Sequence, residues 1–354
     1  LRPFETIIAQ RIRSAGPISI AEYMELALTH PQYGYYMHHD PLGAAGDFIT
    51  APEISQIFGE LIGAWLAQQW LAMGSPQAAL VELGPGRGTL MADALRATRH
   101  IPGFHQAVCV HLVDASPHLR QRQRETLAGM HPNIGWHDAC ESIPAQPLLL
   151  IANEFFDALP IRQFINQDGV WHERLVDIGA DDRLHFTLRK SDSPLLAGRP
   201  HIEGQVIEIC EAGEAVAGWI TGHIARHGGA ALMIDYGYAG GTGGDTLQAL
   251  QHHRYHDVLT DPGQADLTAH VDFDALGRAA QHGGARVCQL LSQAQFLQRS
   301  GALARLEHLS KKATAAQKSA MLSGLERLLS PQQMGELFKV LCITHPEHPT
   351  PEEF

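Results

Sequence analysis

At 354 residues the chain has room for two domains of ~150 residues, or one with large insertions, and 45% hydrophobic against 18% charged residues excludes global disorder. Twenty-six Lys and Arg against 38 Asp and Glu give a net charge of −12 with histidine neutral. That balance excludes a protein built to coat nucleic acid, whose affinity rests on cations at phosphates, and leaves cationic partners open. Cys109, Cys140, Cys210, Cys288 and Cys342 lie far apart with no CxxC pair, which points to a reducing compartment rather than a disulfide framework or zinc knuckle. The longest aliphatic runs are strand-sized, far below the ~20 residues of a membrane span. No secretory leader opens the chain, and because it begins at Leu1 a removed targeting peptide stays open.

In chain order, helical spacing marks 4–13 and 19–29, the second with Ser19 as N-cap and Glu22 three residues on. After an aromatic, glycine-containing stretch, Ile54, Ile57, Phe58, Leu61, Ile62, Trp65 and Leu66 predict one helix from Pro52 to about Ala72. The period then changes. Continuous apolar runs at 79–83, 108–113, 148–152 and 230–234, with a shorter strand near Ile134, read as strands buried on both faces. Helical stretches at 88–99, 116–128 and 211–227 alternate with them, as in a parallel sheet covered by helices. Between the fourth and fifth of these strands, 161–165, 170–177, 183–189 and 205–209 read as antiparallel strands of an insertion at 161–209, with Gln167-Asp168-Gly169 as a turn. A helix at 272–282, a strand at 285–290, several helices over 293–329 and a final strand at 337–344 complete the chain.

The sharpest local signal is Val81-Glu82-Leu83-Gly84-Pro85-Gly86-Arg87-Gly88-Thr89, which follows a buried strand and opens a helix. A tight turn with nothing bound would accept three glycines in five residues only at an entropic cost. A dinucleotide fold wants glycine where Thr89 stands, and a P-loop wants Gly-Lys-Ser/Thr. The spacing Glu82-x-Gly84-x-Gly86-x-Gly88 resembles instead the first motif of class I S-adenosylmethionine-dependent methyltransferases. Their cofactor carries an ammonium that an acid at the strand end can meet, while Gly84, Pro85, Gly86 and Gly88 let backbone approach its methionine and ribose. Asp114, ending the second strand, can accept both ribose hydroxyls, although it lies 30 residues past Gly84, so a loop at 102–105 must absorb the excess. Asp138, after the third strand, can accept from the adenine amino group; either Asp can equally be a solvated strand-end acid.

Leu148 to Pro160 places Asn153, Glu154 and Asp157 just beyond a buried strand, where open α/β sheets bind ligands, with Phe155 and Phe156 as walls against water. The alternative is a helix N-terminus with Asn153 as cap and Glu154 complementing the dipole. For a guanidinium acceptor, two carboxylates would hold the planar fork and turn one nitrogen toward the methyl group. His252-His253-x-Tyr255-His256 lacks the i,i+4 helical pattern and any acidic or thiolate partner, so a polar loop is expected there and no metal.

A wider set of blocks resembles one family. Gly46-Asp47-Phe48-Ile49-Thr50-Ala51-Pro52-Glu53 through Glu60 is similar to the hallmark of the MidA family of class I protein arginine methyltransferases, which includes the mitochondrial assembly factor for respiratory complex I and many bacterial relatives. The likeness continues through 30–36, 81–90, 153–160, Ile234-Asp235-Tyr236-Gly237, 266–273 and 334–340, in order over nearly the whole chain. It implies an α/β class I (Rossmann-like) seven-strand sheet with the last strand antiparallel, a helical N-terminal cover over 1–75, and a methyltransferase domain over 76–354 with insertions at about 161–209 and 293–329. It implies S-adenosyl-L-methionine as cofactor, S-adenosyl-L-homocysteine as product, and an arginine-bearing protein as substrate, for the mitochondrial member a respiratory-complex subunit. The compartment it implies is the cytoplasm of a bacterium, or the mitochondrial matrix of a eukaryote after loss of a leader. Asp47, Thr50, Glu53 and His270 are motif positions whose own chemistry forces no role: Asp47 and Glu53 either face the cleft or cap the helix near Pro52, and His270 is either a base near the acceptor or a buried structural histidine.

Three functions follow for comparison: a protein arginine methyltransferase, a small-molecule N- or O-methyltransferase on the same cofactor, and a non-catalytic assembly protein retaining the cofactor fold. The 161–209 insertion is a candidate for a homodimer contact or a substrate rest.

Overall fold

The structure, a computed structural model, describes residues 2–38, 49–241 and 243–354. The expectation placed on Asp47 lies outside the described residues. The chain opens with α1 (Pro3–Ala15) and α2 (Ile20–Thr29); the Ser19 hydroxyl caps α2 by accepting from the Glu22 amide. The Glu22 carboxylate turns instead to Arg11 of α1, at 2.8 Å. After a turn of helix at Tyr35–His38 (α3), the single helix expected from Pro52 is broken into α4 (Ala51–Ile54) and α5 (Gln56–Ala72). The break is Ser55, extended at φ −155°, whose hydroxyl accepts from Ile57 N–H and so starts α5 afresh.

Strands and helices then alternate: β1 (Ala78–Leu83), α6 (Thr89–Thr98), β2 (Val108–Val113), α7 (Pro117–Thr126), β3 (Ile134–His137) and β4 (Leu148–Asn153). An antiparallel set follows, β5 (Arg162–Gln167), β6 (Val170–Ile178), β7 (Leu184–Lys190) and β8 (Val206–Ile209). Asp168 and Gly169 between β5 and β6 both have positive φ, 52° and 70°, the signature of the two-residue turn read from the sequence. Next come α8 (Glu211–His227) and β9 (Gly229–Tyr238), longer at its carboxyl end than its apolar run. A small antiparallel sheet, β10 (Gln248–Gln251), β11 (Arg254–His256) and β12 (Asp266–Thr268), was not anticipated. Of the polar loop expected over 252–256, only His252 and His253 form the turn, both at positive φ, while Arg254–His256 is strand β11. The last part comprises α9 (Phe273–His282), β13 (Arg286–Val287), α10 (Gln293–Arg299), α11 (Ala302–Ser310), α12 (Ala315–Leu329), α13 (Met334–Leu337) and β14 (Phe338–Thr344). Of the strand expected at 285–290, the two residues of β13 pair with β14, and Cys288 N–H adds one bond to Cys342 O at 2.9 Å.

Seven strands form the main path in the order β13-β14-β9-β4-β1-β2-β3, with two-residue strands added at Val271–Asp272 and Leu291–Ser292. β3, β2, β1, β4 and β9 run parallel, and β14 is antiparallel to β9. Successive residues of the central strands face opposite sides: Leu80, Val110, Leu149 and Leu232 join α5 and α6 on one face, and Val81, Leu150 and Met233 join α8 and α9 on the other. Both faces are dry, which is why these strands read as unbroken apolar runs. The N-terminal helices divide. α5 packs on the main sheet, whereas α1 and α2 share a separate core with Ile161, Val176, Ala249 and Leu267. Ile18 and Ser19 also pair with β6, so the inserted strands and the first helices are one structure.

Candidate active site

The strand order reverses at β1, which lies between β2 and β4, and crevices open at such a point beyond the carboxyl ends of the strands. Here the crevice is a cleft of about 480 Å³ roofed by residues of α2, α3 and α4. It brings together Thr50, Glu53, Glu82, Gly84, Pro85, Gly86, Asp114, Asp138, Asn153, Glu154 and Asp157. Two of the expected site residues are not among those that line it. Gly88 does not line the cleft; it is the left-handed N-cap of α6 at φ 84°. His270 lies outside it too, because β12 and its following turn carry it behind Tyr236, whose ring it meets edge-on at 5.5 Å.

On the β1 side, Glu82 is 3% exposed and its Oε2 has no hydrogen-bond partner. Burial, reinforced by Asp114, pushes its pKa up to about 8. An orphaned buried acceptor costs about 1–3 kcal/mol, so a donor arriving here gains that much. Gly84 and Gly86 have φ of 59° and 52°, a region side chains rarely adopt, and a Cβ on Gly84 would sit 3.0 Å from Phe155 Cδ2. The loop is held from behind by Gln123 of α7, fully buried, which donates from Nε2 to Gly86 O at 2.9 Å and Asp114 Oδ2 at 2.8 Å. Asp114 also accepts from Ser116 N–H through Oδ1, and burial holds its pKa above the usual carboxylate range. The excess length before Asp114 is taken up by a short helix at Phe104–Ala107. Asp138 stands exposed at the rim, 2.5 Å from Arg120.

On the β4 side no helix begins after Asn153, so the capping alternative falls. Glu154 adopts φ 50°, and the chain turns through Asp157 with Phe156 and Asp157 N–H both donating to Asp235 Oδ2, at 3.0 and 3.2 Å. Asp235 is fully buried on β9 and takes Tyr236 N–H on its other oxygen. Tyr236 in turn donates from its hydroxyl to Asp157 Oδ2 at 2.5 Å. Asn153 Oδ1 and Asp157 Oδ1 are buried without partners. Desolvation and the neighbouring Asp157 raise the Glu154 pKa to about 7, and burial raises those of Asp157 and Asp235 as well.

Two carboxylates stitch the roof to the sheet. Glu154 Oε1 accepts from the first amide of α4, Ala51 N–H, at 3.1 Å, and Glu53 Oε1 of α4 accepts from Thr89 Oγ1 at 2.5 Å. Glu53 therefore faces the cleft and does not cap its own helix. Tyr36 of α3 adds a third tie: its hydroxyl donates to Asp266 Oδ1 at 2.8 Å while its carbonyl accepts from Ser116 Oγ. Sequence reading missed Tyr36, Gln123, Asp235, Tyr236 and Asp266 as site residues; all but Gln123 stood inside motif blocks without a role of their own.

S-adenosylmethionine fits this cradle. Its chemistry matches what the cleft offers: an unpartnered buried acceptor at Glu82 Oε2, a partly buried carboxylate at Asp114 and an exposed one at the rim. A family model described as "Putative S-adenosyl-L-methionine-dependent methyltransferase" matches residues 61–290. The chain is 41% identical over 362 residues to a mouse protein named protein arginine methyltransferase NDUFAF7, mitochondrial, with 94% of this chain and 82% of that one covered. It is 39% identical to the zebrafish protein of that name, covering 95% and 85%. A Burkholderia thailandensis protein crystallised with S-adenosyl-homocysteine superposes with a TM-score of 0.88 at 32% identity, over 99% of this chain and 94% of that one. Fold and site together define an S-adenosyl-L-methionine-dependent methyltransferase. The chain belongs to the family of methyltransferases that these matches identify, in agreement with the resemblance read from its motif blocks.

Proposed function

We propose that the protein methylates an arginine side chain of a protein substrate. The observation that carries this reading is the pair of partnerless buried acceptors, Asn153 Oδ1 and Asp157 Oδ1, beside Glu154 at the β4 end of the cleft. Oxygen acceptors from three residues lining one cleft suit a planar fork of N–H donors. The curated relatives, named protein arginine methyltransferases, support it.

When bound, the cofactor supplies an electrophilic methyl group on sulfur. Glu82 would receive its ammonium, Gly84, Pro85 and Gly86 would admit close backbone approach, Asp114 would receive the ribose, and Asp138 with Arg120 would border the adenine. Glu154 and Asp157 hold the guanidinium by two of its nitrogens and leave one facing the methyl group. A free guanidinium has a pKa above about 12, so prior deprotonation is unfavourable and orientation carries most of the rate. As the new N–C bond formed and the methyl–sulfur bond broke, its electron pair staying on sulfur, the guanidinium would lose its proton, and Asp157 Oδ1, which has no hydrogen-bond partner among the described residues, would take it. Phe155 and the roof exclude water. His270, behind Tyr236, has no step.

From the family resemblance, we place the acceptor among respiratory-complex subunits and, in a eukaryote, the enzyme in the mitochondrial matrix. Incubation with labelled S-adenosylmethionine and candidate proteins, followed by mass spectrometric mapping, tests the reading: methyl on arginine nitrogen is expected. Methyl on a carboxylate or small metabolite would overturn it and leave the methyltransferase intact.

A further inference from the structure

Three of the five lysines in the chain, Lys311, Lys312 and Lys318, fall within eight residues at the α11–α12 turn and the start of α12. From residue 302 to 339 there are six lysines and arginines against three carboxylates, in a chain whose net charge is −12; of the six, Arg305 is held by the buried Glu60 at 2.8 Å. The same stretch carries three exposed leucines: Leu303 at 63%, Leu322 at 59% and Leu337 at 43%. Lys318 and Leu322 are four residues apart and so share one face of α12. Lys311 pairs with Glu307 at 4.0 Å; among the described residues Lys312 and Lys318 make no ion pair.

The location gives this surface meaning. The buried side of α12 rests on α4, close enough that a Cβ on Gly324 would lie 2.9 Å from Ile54 O. α4 carries Pro52 and Glu53 into the cleft. α13 leads into β14 at Phe338, directly opposite Tyr236, the edge of the sheet where Asp157 sits. Arg327 of α12 also acts electrostatically on Glu154. Thus α12 and α13 flank the end of the cleft that takes the acceptor, opposite the end built for the cofactor.

We propose that the exposed face of α12, with α13, docks an acidic, leucine-bearing helical segment of the protein acceptor, beside the arginine that enters the cleft. The inference rests on the reading of the acceptor as a protein. Its chemistry is complementary to that of the site: carboxylates capture the arginine, and a cationic, apolar rim beside them holds acidic and leucine side chains. Rim charges of this kind steer and orient a partner.

The test uses a fluorescent amphipathic peptide of Glu and Leu with no arginine, and its counterpart with Lys for Glu, titrated into the full chain by anisotropy. The acidic peptide is expected to bind, more weakly at higher salt, and about tenfold more weakly to the Lys312→Glu/Lys318→Glu variant. S-adenosylhomocysteine affinity in that variant should be unchanged, which reports that it folds. Equal binding of both peptides, or no loss on charge reversal, would overturn the docking surface. Neither outcome depends on methyl transfer, so failure here is distinct from failure of the arginine reading, which the mapped methyl position decides.

Discussion

The reading of the cofactor end rests on one atom, the buried and unpartnered Oε2 of Glu82. Its ligand-free pKa of about 8 lies above the ordinary value of 4.5 because burial penalises the charge, yet an ammonium partner requires the ionised form. Below pH 8, binding must therefore expel a proton. Affinity for S-adenosylhomocysteine should rise by up to about tenfold per pH unit between pH 6 and 8, then level off. Calorimetry on Glu82→Gln should show weaker binding and a lost slope; a slope equal to that of the parent would remove Glu82 from the ammonium site. At the other end, Asp157→Asn and Glu154→Gln should each lower turnover by about 100-fold or more while S-adenosylhomocysteine affinity stays within about twofold. Full turnover in either variant would strike that carboxylate from the acceptor site. Asp114 and Glu154 were legible as cleft residues because each stands just beyond an apolar run, and Glu82 because it interrupts one beside the glycine loop. Asp235 and Tyr236 were not, since their contacts reach back 78–79 residues to the β4 turn and no local pattern encodes them.

Among the elements, the glycine loop and the roof are the parts most open to single substitutions. Gly86 has φ 52°, and a β-branched side chain there is strained whatever space surrounds it. Gly86→Val should keep its circular dichroism and lose cofactor binding by about 100-fold or more, the scale expected when backbone is driven from its ligand; unchanged affinity would refute a close backbone approach. Ser55→Ala removes the cap at the α4–α5 break and should cost about 1 kcal/mol, read as a lower Tm. The main strands and helices were readable from period and length. The α4–α5 break was not, because Ile54, Ile57 and Phe58 keep a helical period across Ser55. The small sheet of β10 to β12 was missed because its turn uses two histidines at positive φ where glycine or asparagine would have signalled a hairpin.

For the molecule as a whole, the net charge of −12 first suggested only a cationic partner. The fold gives that charge a distribution: carboxylates gathered at the switch point between β1 and β4, and cations gathered on the helices beside β14. The sheet order, legible as a class from alternating strands and helices, fixes where the two halves of the reaction meet. A crystal structure with S-adenosylhomocysteine and an arginine-containing peptide tests that meeting most directly. It should show the cofactor ammonium on Glu82 Oε2 and the guanidinium between Glu154 and Asp157, one nitrogen turned toward the sulfur. A guanidinium bound elsewhere, or a cofactor amine away from Glu82, would contradict it.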